Sequence, residues 1–449
     1  MGPTIDTPSK SSLRRELGRW DLTAIGVNQV IGAAVFALPA ALAARAGAWS
    51  PWMVAGVGGA SMLIALSFAE VASRFDGTGG PYLYARASFG RFAAFEVGWM
   101  MWFTRVASWA SVINVLVSSL GFYWPAVTEG APRALLLTTI IALIAAVNIR
   151  GIRQSSFVVN LLTAGKLLPL AVFIVAGLFF VDWSRVAVGA SLSMGELSAS
   201  GLLLVFAFGG YEIVPVTAGE TRNPRRDVPI ALIMTIVVVT IVMTLAQVVA
   251  LGTLPGLAAS KTPLADAAAV FLGGAGAAMM TIGAVLSTSG NNMGQAVSGS
   301  RNLFALAEQG DLPAVFGRVH PTFRTPMNAI LITAAVSLVL ALTGSFQKLA
   351  AASAISRLVV YVATCGAALR LRGKRFEGVV KPATFVVPFG PLIPVGAIAF
   401  ALAILAGATP LQLISGTEAL AAGAVLFFFA VRRGPAGASA SDRFRGSSR

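Results

Sequence analysis

Two long apolar segments, one near the head of each half of the chain, are interrupted by small residues where a membrane helix would run on: Val30-Ile31-Gly32-Ala33-Ala34 in the first span and Phe208-Gly209-Gly210 in the sixth. In hydrocarbon an unpaired backbone N–H or C=O is expensive, so an interrupted helix survives only where the loose groups line a cavity or grip a ligand. Matched breaks in two halves of one chain point to a central binding site. Close packing of small residues against neighbouring helices is the alternative reading of the same stretches.

The surrounding chain supports a bilayer setting. Of 449 residues, 56% are hydrophobic and 11% charged, and the mean hydropathy is +0.80, values under which a soluble domain of this length would aggregate. Twelve spans are expected, at about residues 22–46, 50–74, 92–122, 133–149, 155–181, 197–218, 228–252, 267–307, 327–343, 347–370, 385–407 and 411–431. The eighth is long enough to bend or to project beyond the bilayer. Continuous apolar runs exclude a transmembrane β-barrel.

A net charge of +15 resembles a nucleic-acid footprint until the basic residues are mapped. With the N-terminus on the cytoplasmic side, 25 of the 33 Lys and Arg fall in inner segments. Only Arg45, Arg133, Arg185, Lys261 and Lys348 fall outside, and Arg105, Lys166 and Arg357 lie within spans. This asymmetry is the positive-inside rule and predicts a multi-pass cytoplasmic-membrane protein with both termini in the cytoplasm. The charge then serves anionic lipid headgroups, and nucleic acid is not an expected partner.

Little room is left for other chemistry. The N-tail, residues 1–19, carries no cleavage-like site after a short apolar core, so no removed signal peptide is expected. Residues 434–449, rich in Ser, Gly, Ala and Arg, read as a disordered cytoplasmic tail. Cys365 is the one cysteine and lies in an apolar span, which excludes an internal disulfide. His320, the one histidine, has no cysteine or second histidine for a metal site, and no phosphate-binding Gly-rich loop precedes a Lys-Ser/Thr pair. No enzyme constellation, metal or cofactor is expected. The absence of N-x-Ser/Thr sequons and the excess of Arg over Lys suggest a bacterial membrane. Gly56 to Gly59 reads as a surface for close helix approach.

Five ordered motifs carry a resemblance. They are Gly26 through Pro39 (GVNQVIGAAVFALP); Ala69 to Phe75 with Gly79-Gly80-Pro81-Tyr82; Asn148-Ile149-Arg150-Gly151-Ile152-Arg153; Phe206 to Glu212 leading to Glu220 through Pro229; and Gly310-Asp311-Leu312-Pro313 with Thr325-Pro326. Together they resemble amino acid permeases of the amino acid/polyamine/organocation superfamily from Trp20 to about Arg372. The resemblance implies an all-α integral membrane fold of the leucine-transporter type. Its five-plus-five inverted repeat, with discontinuous helices one and six, would cover about 20–181 and 197–372 within a transporter domain of 20–433, and two further helices would occupy 385–431.

It also implies site residues. The substrate carboxylate would lie on the backbone of Gly32, Ala33 and Ala34, and the ammonium on carbonyls near Val30, Phe206 and Gly209, with Ile31 and Ala207 in the same stretches. The substrate side chain would face Phe206, Phe208 and Gly210. Many relatives carry Gly-Ser-Gly or Gly-Thr-Gly where this chain has Gly32-Ala33-Ala34, so a hydroxyl is lost and the backbone at Ala34 is less free. Lys166, about eleven residues into span five, falls near the middle of a roughly 30 Å slab at about 1.5 Å per residue, where an ammonium must be paired, hydrated or deprotonated. It resembles the span-five lysine of proton-coupled members, with Ser287, Thr288 and Ser289 as expected partners. A charged lysine held for structure alone is the alternative.

Glu212 matches an acidic position linked in the family to gating or proton sensitivity, and could equally accept freed N–H groups. Arg105 and Arg357 could pair with Glu212 or reach a substrate carboxylate. Glu70 and Glu220, grouped by sequence with Arg74, Arg222, Arg225 and Arg226, suggest a cytoplasmic gate. Trp99, Trp102 and Trp109 read as packing.

The expectation is a secondary active transporter of amino acids or related amines working by alternating access, with proton symport leading and exchange as the alternative. A channel would pass ohmic current without counterflow, and a membrane sensor would bind solute without accumulating it. An apolar pocket favours neutral or aromatic amino acids, while Glu212 leaves cationic ones open. Sequence does not specify the oligomeric state.

Overall fold

The computed structural model describes residues 13–32, 34–120, 124–189, 191–343 and 346–433, so Ala33 and nearly all of both expected tails lie outside the described residues. Among these, the fold is helical, with two isolated bridges, Leu17 to Thr221 and Glu377 to Val380, and no strand. In order the helices are α1 (Arg19–Val30), α2 (Ala34–Ala46), α3 (Ser50–Ala72), α4 (Pro81–Phe89), α5 (Arg91–Leu120), α6 (Gly130–Arg150), α7 (Ile152–Gly177), α8 (Trp183–Val186) and α9 (Met194–Phe208). A 3-10 segment, Tyr211–Glu220, precedes α10 (Pro224–Thr253), α11 (Pro263–Glu308), α12 (Met327–Thr343), α13 (Phe346–Arg370), α14 (Leu392–Ala406) and α15 (Pro410–Arg433).

Among the described residues, six helical stretches are long and apolar enough to cross a membrane: Ala34–Ala72, Arg91–Val117, Gly130–Arg150, Ile152–Phe180, Pro224–Thr253 and Pro263–Glu308. Their outer faces suit lipid. On α7, Phe157, Leu161, Leu168 and Val175 are exposed at helical spacing, whereas Val159, Thr163, Lys166, Leu170 and Phe173 are buried. A soluble protein rarely presents such a stripe.

The eighth span bends, as expected, at Gly273, whose φ of 62° and ψ of −156° interrupt α11. Two departures from the expected spans have local causes. The eleventh starts at Leu392 rather than near 385, because Pro388, Phe389 (φ 59°), Gly390 (φ 59°) and Pro391 cannot open a regular helix. Between α3 and α5 the short α4 forms where a linker was expected, entered through Gly79 (φ 121°) and Gly80 (φ 48°) with Pro81 as first helical residue.

Small residues allow the helices around α1 to pack backbone to backbone. A Cβ at Gly26 of α1 would overlap Thr235 of α10, and Cβ atoms at Gly290 and Gly294 of α11 would overlap Asn28 and Gln29. Within the Gly-rich stretch of α3, Gly58 meets Thr240 of α10, whereas Gly56 and Gly59 face open space. Gly58→Leu is therefore expected to lower stability by about 1–3 kcal/mol through overpacking, read as the thermal unfolding midpoint in detergent. Gly56→Leu should leave the midpoint close to wild type.

Candidate functional site

Both interruptions are real breaks in the helical ladder. α1 stops at Val30, Ile31 turns out of helix (φ −75°, ψ 76°), and the Gly32 N–H closes a tight turn on the Val30 carbonyl at 2.8 Å. α2 begins at Ala34, and its first-turn N–H groups have no partner within their own helix. In the second break α9 ends at Phe208, and Gly210 takes φ 135°, a conformation open to glycine alone. The two breaks touch: a Cβ on Gly210 would lie 2.8 Å from the Gln29 carbonyl carbon. Ala207 and Phe208 are buried, while Ala33 and the Phe206 side chain lie outside the described residues.

The carbonyls released by the first break turn toward α7 and α11. Lys166 Nζ donates to Asn28 O at 2.8 Å, Asn28 Oδ1 at 2.6 Å and Ile31 O at 2.5 Å. A cation at the carbonyl end of α1 also meets the negative pole of the helix. Ser287 Oγ lies 2.9 Å from Ile31 O and 3.1 Å from Gly32 O, so it shares an acceptor with the ammonium. Thr288 instead donates to Ala284 O in its own helix at 2.8 Å. Ser289, two positions beyond Ser287, is rotated about 200° around α11. Of the three expected hydroxyl partners, Ser287 alone joins the Lys166 cluster among the described residues.

Polar side chains of α11 continue the network. Asn28 Nδ2 donates to Gly290 O at 2.6 Å; Gln29 Nε2 and Asn291 Nδ2 donate to each other's backbone carbonyl at 3.0 Å. Gln295 Nε2 reaches Asn291 Oδ1 at 3.2 Å, and Arg105 NH1 donates to Gln295 Oε1 at 3.1 Å.

At the second break, Glu212 accepts the freed Gly210 N–H at 2.7 Å and the Tyr361 hydroxyl at 3.0 Å on Oε2. Its Oε1 pairs with Arg105 and, at 2.9 Å, with Arg357 Nε. The Arg357 guanidinium packs directly against Gly209, leaving no room there for a methyl group. Arg105, Arg357 and Glu212 are all buried, and Tyr211 stacks on Tyr361 with centroids 5.6 Å apart. Glu212 is thus already engaged by two cations, which removes the basis for expecting it to draw a cationic substrate.

The acids Glu70, Glu220 and Asp311 choose partners distant in sequence. Glu70 is bound bidentately by Arg372 at 2.7 and 2.5 Å and accepts the Val387 N–H, while Arg225 binds the Ser73 and Pro382 carbonyls. Glu220 is bound by Arg301 through two 3.0 Å bonds, and Arg301 also reaches Asn148 Oδ1 at 2.5 Å. Leu17 bridges this point, its N–H on Glu220 O and its carbonyl receiving the Arg222 N–H. Asp311 gathers Tyr82, Arg86 and Arg91 at 2.6, 2.9 and 2.6 Å. Burial, with the Asp311 carboxylate beside it, pushes the Tyr82 phenol well above its usual range, so it remains a donor. A cavity of about 390 Å³ opens beside Asp21, Arg153, Asn160 and Arg222, at the end of α1 remote from the breaks. Trp99 and Trp102 are structural, donating to Ala419 O and Thr333 Oγ1.

Arg301, Arg372, Tyr361 and the amides of Asn28, Gln29, Asn291 and Gln295 were not singled out from sequence. The polar run Asn291-Asn292 with Gln295 inside an apolar span was the available signal.

A sequence profile described as amino acid permease matches residues 17–431. The branched-chain amino acid permease BcaP of Bacillus subtilis is 28% identical over 449 residues, 95% of each chain. The serine/threonine exchanger SteT of the same organism is 29% identical, covering 87% of this chain and 90% of the relative. The Bacillus subtilis methylthioribose transporter is 28% identical, covering 87% and 88%.

Arg301→Met should destabilise the protein by about 3–5 kcal/mol, because it strands a buried Glu220 carboxylate. Adding Glu220→Gln should recover much of that loss, read as paired thermal unfolding midpoints.

Proposed function

Because this chain belongs to the amino acid permease family, we propose that it is a twelve-span secondary carrier built on a five-plus-five inverted repeat, moving amino acids by alternating access with Lys166 as the proton-coupling group. The observation that carries the reading is the Lys166 ammonium seated on three oxygens of the first break. Loss of its proton removes a donor that holds α1 against α7, so the charge of Lys166 and the position of α1 are linked. Ser287 on the shared Ile31 carbonyl supports the same reading, since it ties α11 to that joint.

The substrate's charged ends go to the breaks. First-turn N–H groups of α2 favour its carboxylate, and loose carbonyls favour its ammonium. The cytoplasmic ion pairs of Glu70, Glu220 and Asp311 act as the closed inner gate, and the 390 Å³ cavity beside Asp21 is the vestibule on that side. Amino acid exchange is the second reading. It is favoured by the match of three ammonium donors to three acceptors, which equally suits a permanently charged lysine.

Uptake into proteoliposomes with an acid exterior separates them. Wild type should accumulate labelled amino acid, and Lys166→Ala should lose accumulation while retaining counterflow. Accumulation that survives Lys166→Ala overturns the coupling role; wild-type counterflow without gradient-driven accumulation selects exchange.

A further inference from the structure

We infer that Arg105 and Arg357 form an anion-binding subsite at the second break, and that the solute this carrier takes is an acidic amino acid, its side-chain carboxylate held by the two guanidiniums. The inference rests on the carrier reading above and deepens it by naming the substrate class.

Charge is the first ground. Guanidinium does not lose its proton in proteins, so two buried cations share the single Glu212 carboxylate and leave a positive excess in a medium of low dielectric constant. Such an excess is costly unless an anion joins it. The nearby buried acids are committed elsewhere, Glu220 to Arg301 and Glu70 to Arg372. Lys166, at the neighbouring break, adds no negative charge.

Hydrogen-bond capacity is the second ground. Arg105 gives one terminal nitrogen to Glu212 and the other to Gln295, but its buried Nε has no acceptor. A planar guanidinium binds a carboxylate through two parallel N–H bonds, so an arriving carboxylate would complete it.

Location is the third. Arg357 lies on Gly209, Glu212 holds the Gly210 N–H, and Gly210 abuts Gln29 at the other break. The cluster therefore lies where the two breaks meet. Main-chain N–H groups at α2 attract one carboxylate, and the guanidiniums attract a second. A solute with two carboxylates satisfies both ends. A neutral amino acid leaves the positive excess uncompensated, and a polyamine is repelled by it. Glu212 sits beside the guanidiniums where the substrate's acid would join it.

The test uses purified full-length protein with L-glutamate and L-aspartate against their uncharged isosteres L-glutamine and L-asparagine, and L-leucine, L-serine and L-lysine. Thermal shift in detergent gives affinity, and counterflow in proteoliposomes gives transport. The acids should bind at least about tenfold more tightly than their amides. Arg105→Gln and Arg357→Gln should each erase that discrimination. Glu212→Gln, which removes the competing carboxylate and leaves both guanidiniums to the ligand, should tighten glutamate binding, and glutamate should restore the stability that this variant loses. Equal affinity for acids and amides, or weaker glutamate binding by Glu212→Gln, overturns the inference. Counterflow of neutral or cationic amino acids alone overturns it while leaving the carrier reading intact; no counterflow of any amino acid overturns both.

Discussion

The architecture depends on how the peptide groups freed at two helix breaks are satisfied away from water. The answer uses opposite charges. At the first break the released groups are carbonyls at the end of α1, and Lys166 supplies an ammonium with three donors for three oxygens. At the second, the released group is the Gly210 N–H, and Glu212 supplies an acceptor. Each charge sits where the local backbone dipole favours it, and each is contributed by a side chain whose own burial would otherwise be prohibitive. Helix interruption and buried charge are thus one feature: neither is tolerable in hydrocarbon without the other.

α11 joins the two ends. Through Ser287 it touches the carbonyls that hold Lys166; through Gly290 and Asn291 it receives the amides of Asn28 and Gln29; through Gln295 it reaches Arg105 and so Glu212. Glycines make this possible, because Gly290 and Gly294 let α1 approach until side-chain amides meet backbone. A displacement of α1 against α11 therefore breaks several bonds together rather than one at a time, which is the behaviour expected of an element with two discrete positions.

Much of this was legible in the sequence because membrane chemistry makes a few residues conspicuous. Gly32, Gly209 and Gly210 stand out in apolar runs, and Lys166, Arg105, Arg357 and Glu212 stand out as charges where charge is rare. Partner choice was less legible, because it depends on helix rotation and depth. Glu70 has Arg74 four residues away, yet takes its bidentate partner Arg372 from a segment 302 residues distant. Arg301 falls inside the expected eighth span, but that α11 turns it onto Glu220 depends on helix rotation, which the sequence does not display. The start of α14 was placed too early because residues 385–391 are apolar in composition and irregular in backbone, a distinction carried by Pro388, Gly390 and Pro391 rather than by hydropathy.

The chemistry of the ion pairs at Glu70, Glu220 and Asp311 suits a latch. Glu70 with Arg372, Glu220 with Arg301 (which also donates to Asn148), and Asp311 with Arg86 and Arg91 each cross between segments far apart in the chain. A greasy plug of the same area would hold these segments together as well, but separating it would expose apolar surface to water at full cost. A buried ion pair differs, because its attraction is nearly offset by the desolvation of its members, and that hydration is regained when it opens. In the carrier reading the closed state is then specific in geometry without being deep in energy. The cavity beside Asp21, Arg153 and Arg222 is also lined by Leu17, which bridges to Thr221 next to Glu220 in the chain, and so gives solvent a route toward the freed ions. In the carrier reading, this balance lets the small free energy of solute binding at the breaks decide which side of the protein is open.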